Sequence, residues 1–302
     1  MKFLALLGGL ALELFFPRFQ AWKRRWDLQP YLLWWGERAS GRSGLNGPYG
    51  VLAVIAPVVL AAALVQGLLA QVLFGLLALL YGAAMLFYAL RFHSLDRAID
   101  AFCDACETGD SGRAGALAAE ILGPSVLDHP EDQTIVAVSR EILVQACWRL
   151  FGGMFWFMLL GPAGAALYCL STRLSRPREG DPEFGAGLRA AARRLQGILD
   201  WVPARLSAAA YAVVGSFEDA AHGWSTCVTS ADDLDAGNAC LLAETGAGAL
   251  QLERYATEAD YDAGLTDACD PAAVRAARGL VLRALLAWVI FIAILSLLGW
   301  VS

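Results

Sequence analysis

Long apolar blocks separated by polar ones dominate this chain, and the longest apolar block runs from residue 51 to residue 90. It holds no charged side chain. A single helix of that length would measure about 60 Å, twice the roughly 30 Å of a bilayer's hydrocarbon core. We therefore predict two membrane helices, over about 51–67 and 70–90, that fold back between Gln66 and Gln71 as a helical hairpin.

A second uncharged block, 284–302, follows Arg283. Its nineteen residues are enough to cross a bilayer. Trp288 and Trp300 suit the membrane–water interfaces, where tryptophan is enriched. We predict a C-terminal span over 284–302.

Two shorter apolar segments leave more than one interpretation open. The segment 3–16 contains Glu13 and is followed by Pro17 rather than by a small-residue cleavage site. We predict a retained short helix there, and whether it spans the membrane stays open. The segment 150–171 is long enough to span, but Gly161-Pro162 interrupts it and arginines flank both ends. We predict a re-entrant pair of helices, with one continuous span as the alternative.

Basic residues indicate which side of the membrane the polar segments occupy. None lies in the hairpin turn, whereas four arginines flank the open end: Arg38, Arg42, Arg91 and Arg97. The positive-inside rule places that end in the cytoplasm, and with it the polar segments 91–149 and 173–282. Apolar spacings of three and four predict helices in both segments. The predicted fold is a single-domain, all-α integral membrane protein over 1–302: a helical hairpin, a re-entrant broken helix, a C-terminal span and helical cytoplasmic segments.

Composition supports a membrane protein and excludes other classes. Hydrophobic residues make up 58% of the chain and charged residues 17%, against roughly 45–50% and 25% in soluble domains. A net charge of −6 argues against nucleic acid as a partner. Seven cysteines are too few for a disulfide-built secreted scaffold. The lone Cys103-x-x-Cys106 has no second ligand pair for zinc, so we interpret both cysteines as core residues.

The segment 17–50 is basic and rich in tryptophan, as in Trp22-Lys23-Arg24-Arg25-Trp26 and Trp34-Trp35. This pattern is typical of a segment that lies at the membrane surface against anionic headgroups. The lipid bilayer is therefore a predicted partner.

No local motif for catalysis, nucleotide binding or metal binding occurs in the sequence. We therefore predict no catalytic residue, cofactor or metal site. Charged residues set against apolar sequence are costly unless they face a polar cavity or a partner. Four such residues are our candidates to line a ligand pocket at the cytoplasmic mouth of the hairpin: Glu13, Arg149, Asp200 and Arg205. The alternative is that they form permanent salt bridges or contact lipid headgroups.

Three stretches carry a resemblance to a known family: Met154–Trp156, Gly161–Tyr168 and Leu199–Leu206, the last reading Leu-Asp-Trp-Val-Pro-Ala-Arg-Leu. The chain resembles the AmpE family of bacterial inner-membrane proteins. AmpE proteins belong to a wider group with CobD/CbiB, the cobinamide-phosphate synthases. The resemblance to that group implies an ATP-dependent amide ligation that attaches aminopropanol phosphate.

The chain departs from the synthases at their acidic motifs. Only Glu141 and Gln145 resemble the first motif, 172–176 lacks the acidic residue of the second, and Gln196-Gly197 replaces a pair of aspartates. The resemblance to AmpE therefore implies a non-enzymatic regulator of AmpC β-lactamase induction, linked to muropeptide recycling, with an unknown signalling partner or cell-wall-derived ligand. The alternative is a membrane ATP-dependent amide ligase or transferase of the cobinamide-phosphate synthase type. The oligomeric state stays open, a homo-oligomer included.

Overall fold

Every regular element in the part of the chain that the structure describes is a helix. The computed structural model describes residues 2–16, 23, 27–39, 46–70, 75–123, 134–178, 180–227, 233–252 and 271–298. The helices in chain order are α1 (Lys2–Phe15), α2 (Gln29–Ala39), α3 (Pro48–Ala70), α4 (Leu76–Ala89), α5 (Phe92–Glu107), α6 (Ser111–Leu122), α7 (Thr134–Ala146), α8 (Gly152–Leu160), α9 (Pro162–Ser175), α10 (Ala186–Val214), α11 (Phe217–Thr226), α12 (Leu234–Leu250) and α13 (Ala272–Leu297). A π-helical turn, Cys147–Phe151, joins α7 to α8.

The longest apolar block forms the predicted pair of helices, α3 and α4. The Tyr81 hydroxyl donates to the Ala62 carbonyl across the pair, at 3.5 Å, as expected when the two helices fold back on each other. Helix α3 continues to Ala70, three residues beyond the predicted end of its span, and α4 begins at Leu76. Neither Gln66 nor Gly67 is charged or a proline, so neither residue forces α3 to end there. Leu64 and Leu68 on α3 are 67% and 71% exposed, which marks a lipid-facing side.

Among the described residues, four helical stretches are long and apolar enough to cross a membrane: Pro48–Ala70, Leu76–Glu107, Thr134–Leu160 and Ala272–Leu297. The prediction of an all-α membrane protein is thereby confirmed. The third stretch differs from the others because 72% of its most apolar window is buried in protein, against 22% for the first. The α7–α8 stretch is therefore surrounded by protein, and α3 is exposed on most of its surface.

The break predicted at Gly161-Pro162 is present. Gly161 has φ 67, a conformation that favours glycine, and Pro162 opens α9. Helices α8 and α9 fold back on each other: a Cβ on Gly152 would meet the Tyr168 hydroxyl at 2.1 Å, and one on Gly164 would meet the Trp156 carbonyl at 2.0 Å. The tip at Gly161 lies against Gln66, near the far end of α3. Helices α8 and α9 thus form a hairpin with a break at Gly161, and whether this hairpin is re-entrant or crosses the bilayer stays a prediction.

Helices α5, α6, α7, α11 and α12 form a polar region that we call the head. The face predicted for α5 is buried, with Leu95, Ile99 and Phe102 each at most 1% exposed. Helix α13 begins at Ala272, twelve residues before the predicted start of the C-terminal span. Its first turns pack against the head, where Arg278 bonds Asp96 at 2.7 Å and Asp100 at 2.6 Å. The absence of charged residues therefore predicted only the later part of α13, and not the turns that pack against the head.

The structure also bears on the predictions for the cysteines and for the tryptophan-rich segment 17–50. Cys103 is buried and free, as predicted, whereas Cys106 is buried and disulfide-bonded. Cys227 and Cys240 form a disulfide in the head that the spacing of cysteines did not indicate. Of the Trp22–Trp26 cluster, Lys23 is described and the other four residues lie outside the described part of the chain. Helix α2 leaves Trp34 46% exposed, with the Arg38 guanidinium 3.7 Å from its ring centroid, so the interfacial role of 17–50 stays a prediction.

Candidate functional site

A pocket of about 500 Å³ lies where the open end of the hairpin meets α1, α5, the π-helical turn and the residues after α9. That volume is within the usual range for small-molecule sites. Six basic side chains and two carboxylates line it, together with two aromatic rings. The lining residues are Glu13, Lys23, Asp27, Tyr88, Arg91, Ser94, Arg97, Trp148, Arg149, Arg176, Pro177 and Arg178. The pocket therefore carries a large excess of positive charge.

Glu13, the first of the two carboxylates, is fully buried and paired. It accepts a hydrogen bond from the Lys23 ammonium at 2.5 Å and one from the backbone N–H of His93 at 3.1 Å. Lys23 also donates to the Leu90 carbonyl at 2.7 Å. Burial lowers the pKa of Lys23, although Glu13 acts in the opposite direction. These contacts account for a carboxylate in an apolar helix, because a buried charge needs a partner.

Asp27, the second carboxylate, is paired with Arg173, which also bonds Asp181 at 2.7 and 3.0 Å. Burial would raise the pKa of Asp27, but the Arg173 guanidinium outweighs it and lowers that pKa below its ordinary value. The pKa of Arg173 is raised because its two carboxylate partners outweigh the effect of burial. Both pocket carboxylates are thus already neutralised by neighbouring cations.

Arg149 and Arg176 stack on Trp148, with their guanidinium carbons 4.6 and 5.5 Å from ring centroids of that residue. Arg149 donates to the Ser94 hydroxyl at 2.9 Å, and Arg176 bonds Asp235 at 2.7 Å. Within the described part of the protein, Nε of Arg149 and Nη1 of Arg176 are buried and have no hydrogen-bond partner. Both arginines line the pocket, and these two N–H groups lack partners but are not exposed to its open space.

Like charges crowd the pocket. The backbone N–H of Arg91 donates to the Arg149 carbonyl at 3.0 Å, which holds these two arginines side by side. Arg178 is exposed at the edge of the pocket, and partial desolvation together with Arg91 and Arg173 lowers its pKa to about 10. A bound anion would relieve this repulsion.

The pocket does not fit a divalent cation. Magnesium is held by carboxylate and carbonyl oxygens, but Glu13 and Asp27 are already bonded to Lys23 and Arg173. Across the described residues, no group of three or more His, Cys, Asp or Glu side chains has the arrangement of a metal site. The donors present suit phosphate, which arginine binds through paired N–H groups.

Of the four predicted ligand-binding residues, the structure brings Glu13 and Arg149 together in this pocket and places the other two elsewhere. Asp200 lies on a buried face of α10, where it accepts from the Tyr168 hydroxyl at 2.5 Å and from Gln196 at 2.9 Å. Burial raises its pKa to about 6, although its hydrogen bonds and Arg176 act in the opposite direction.

Arg205 lies toward α12, donating to the Trp201 carbonyl at 2.9 Å and to Asn238 at 3.3 Å. The stretch Leu199–Leu206 contacts the broken helix, since the Trp156 ring N–H donates to the Leu199 carbonyl at 3.1 Å.

Most of the pocket's cations were noted in the sequence only as residues flanking apolar segments. Arg91 and Arg97 served there to orient the hairpin, and Arg176 and Arg178 are among the arginines that follow the segment 150–171; none was predicted as a ligand. One feature of the sequence could have indicated the pocket: basic residues lie at the ends of several apolar segments. A membrane fold can place these ends at the same depth in the bilayer. Trp148, Arg149 and Arg176 also fall at or beside positions where the synthases' acidic motifs were sought. These positions do converge, but on a cationic site.

The fold and this pocket define a class: an all-helical membrane protein with a cationic, partly aromatic pocket beside its apolar helices. The chain belongs to the CobD/CbiB family, since the match to the family described as CobD/Cbib protein covers residues 6–277. It is 29% identical to a cobalamin biosynthesis protein CobD of Chromobacterium violaceum over 209 residues, 69% of this chain and 64% of that protein. It is 31% identical to a CobD of Stutzerimonas stutzeri over 170 residues, 55% and 54% of the two chains.

The matches thus span less than two thirds of the length of these curated relatives. No solved structure matches the chain. The findings support the wider CobD/CbiB group, and the narrower resemblance to AmpE stays a prediction.

Proposed function

We propose that this chain is a membrane ligase or transferase of the cobinamide-phosphate synthase type, whose cationic pocket holds the phosphate group of a reactant. The observation that carries this proposal is the excess of four positive charges among the pocket's ionisable side chains, six basic against two acidic. Family membership supports the reaction class, because the two relatives are named for cobalamin biosynthesis.

Phosphate suits this pocket better than a carboxylate ligand does. A phosphate monoester carries a charge of about −1.5 to −2 at neutral pH and three acceptor oxygens. Its oxygens can accept from Arg149 and Arg176, whose guanidinium groups line the pocket and lie on the same indole. Trp148 and Tyr88 add apolar surface beside the charges, where the carbon skeleton of the reactant can pack.

Two reactants of an ATP-dependent amide ligation carry phosphate: the aminoalkyl phosphate and the nucleotide. Calorimetric titration of the purified protein in lipid nanodiscs separates them, using 2-aminoethyl phosphate, ATP, inorganic phosphate and ethanolamine, which lacks the phosphate group. We expect binding of phosphate compounds that weakens with added salt, because screening reduces the attraction of partly exposed charges. Equal binding of ethanolamine would contradict a phosphate site.

Arg149→Ala tests the site itself. A hydrogen bond to a charged group contributes about 1.5–3 kcal/mol, so affinity for the phosphate compound should fall about tenfold to a hundredfold. Arg140→Ala is the matched control, since Arg140 pairs with Glu244 at 3.4 Å and does not line the pocket. Arg178→Ala, at the exposed edge, is a second test that perturbs folding less. Unchanged affinity in both Arg149→Ala and Arg178→Ala would overturn the proposal.

The regulatory hypothesis makes a different prediction. If the protein modulates AmpC induction as AmpE proteins do, deleting it should alter the response of cells to a β-lactam inducer. The match to the CobD/CbiB family favours the enzyme instead, and so do the hydrogen-bond donors of the pocket, which suit phosphate. An unaltered induction response, together with ATP-dependent amide formation by the purified protein, would support the proposed reaction class.

A further inference from the structure

Helix α10 presents a long apolar stripe to the outside of the protein. Ile198, Val202 and Leu206 are 60%, 38% and 38% exposed at successive four-residue intervals, and Val213 extends the stripe at 74% exposed. Spacing of this kind puts side chains on one side of a helix. The opposite side of α10 is buried, as in Leu199, Ala204 and Tyr211. The exposed stripe is therefore a surface without a partner inside the described protein.

Both ends of α10 are tied to the points where membrane helices begin. At its start, the backbone N–H of Leu188 donates to Asn46 at 3.4 Å, just before α3 begins at Pro48. At its end, the Val214 carbonyl accepts from Arg283 at 3.1 Å, just before the uncharged part of α13. A helix of 29 residues measures about 43 Å. Asn46 and Arg283 both precede predicted spans on the side that the arginine distribution assigns to the cytoplasm, so α10 joins two points of that boundary.

Charge and aromatic residues on the same helix fit the headgroup region. Three arginines near the start of α10, Arg189, Arg193 and Arg194, are exposed. Trp201 is 44% exposed, and the Arg205 guanidinium lies 4.0 Å from its ring centroid. Tryptophan and arginine with an apolar stripe are typical of helices that lie at a membrane interface. No such role follows from the sequence of this segment, which is polar enough to have been assigned wholly to the cytoplasm.

We infer that α10 is an in-plane interfacial helix, whose apolar stripe enters the acyl boundary of the bilayer and whose first turns bind anionic phospholipid headgroups. This inference does not depend on the ligand of the cationic pocket. Its occupant is the bilayer in which the protein's own spans lie, because the helix that carries the stripe is bonded near both ends to residues that precede those spans, Asn46 and Arg283.

Spin labels on single introduced cysteines test the inference in the full-length protein, reconstituted in nanodiscs of phosphatidylcholine with phosphatidylglycerol. The free native cysteines Cys103, Cys147 and Cys169 are buried. At Ile198→Cys and Val213→Cys, we expect collisions with oxygen, which dissolves in lipid, to exceed those with a water-soluble nickel chelate. At the control Arg113→Cys, on exposed α6 in the head, the chelate should dominate.

A second experiment tests the proposed role of the three arginines near the start of α10. Replacing Arg189, Arg193 and Arg194 together by glutamine should remove the increase in the oxygen-to-nickel ratio at Ile198→Cys that phosphatidylglycerol produces over phosphatidylcholine alone. Dominance of the nickel chelate at both stripe positions would overturn the inference. So would dipolar broadening between labels, which would show that a second copy of the chain covers the stripe.

Discussion

At the scale of single residues, the pairing of Glu13 shows why charge in an apolar segment is hard to interpret from sequence. The carboxylate is fully buried, and its cation comes from Lys23, ten residues later in a different part of the chain. The surrounding pocket then depends on arginines from several elements. An isolated buried charge would be very costly, and the pairing of Glu13 with Lys23 allows both side chains to stay charged. The pocket's excess charge lies on its arginines, two of which, Arg149 and Arg176, stack on one tryptophan.

Asp200 provides a prediction about pH at the same scale. Its pKa is about 6 in the folded protein against an ordinary 3.8, so the folded state binds its proton more tightly than the unfolded state does. Stability should therefore fall as pH rises from about 4 to 6 and level off above 6, a loss of about 3 kcal/mol for this group. Asp200→Asn keeps an acceptor for Tyr168 and cannot ionise, so it should remove this loss.

The measurement is thermal unfolding of wild type and Asp200→Asn from pH 4 to pH 8 in one detergent. Because other carboxylates titrate in both proteins, the informative quantity is the difference between the two melting temperatures. We expect that difference to be small near pH 4 and to favour the asparagine variant above pH 6. A difference that does not vary with pH would show that Asp200 is not the group responsible.

At the scale of helices, close approach between α8 and α9 depends on glycines. Gly152 and Gly164 face Tyr168 and the Trp156 carbonyl at distances that leave no room for a side chain. The break between the helices needs the positive φ of Gly161, and Pro162 then starts the second helix. These local requirements explain why a sequence with Gly161-Pro162 indicated the broken helix correctly. They did not indicate which helices surround it.

Gly164→Ala should destabilise the protein by about 1–3 kcal/mol, because its Cβ would overlap the Trp156 carbonyl and force the helices apart. The matched control is Gly115→Ala on exposed α6, where no atom lies within 4 Å of the new Cβ. That change should stabilise the helix by about 0.5–1 kcal/mol, since alanine is the better helix former. Chemical or thermal unfolding in detergent checks both. Equal effects of the two substitutions would argue against tight α8–α9 packing.

At the scale of the whole molecule, the arginine distribution and the disulfide bonds give opposite indications for the side on which the head lies. Arginines at the open end of the hairpin indicate the cytoplasm. The Cys227–Cys240 disulfide is typical of an oxidising compartment. The proposed function favours the cytoplasm, because ATP is available there. With the head in the cytoplasm, Cys227 and Cys240 should be thiols in the cell and form the disulfide only after exposure to air.

A membrane-impermeant thiol reagent applied to intact cells tests this orientation at Arg113→Cys, in the head. We expect no labelling until the cells are permeabilised, whereas Gln71→Cys, in the predicted turn on the far side, should label at once. Arg113 is suited to the test because it is exposed and does not cap a helix. Labelling of Arg113→Cys in intact cells would place the head outside and agree with the disulfide.

The sequence by itself determined the class of fold and several of its elements. An uncharged block of residues 51–90 can be accommodated only in a membrane hairpin, and Gly161-Pro162 breaks a helix wherever it lies, because both properties are local to the chain. The buried face of α5 followed from spacing for the same reason. Helix ends were less accurate, as at Ala70 and Ala272, since apolarity reports contact with lipid and not the extent of hydrogen bonding.

Only the tertiary structure decided which charged residues share a site. Arg91, Arg149 and Arg176 are far apart in sequence, and they meet because the segments that precede or follow them reach the same level of the bundle. Asp200 and Arg205 look similar to Glu13 and Arg149 in sequence, yet α10 turns Asp200 toward Tyr168 and Arg205 toward Asn238. The direction of a side chain depends on how its helix is rotated against its neighbours, and packing between distant segments sets that rotation.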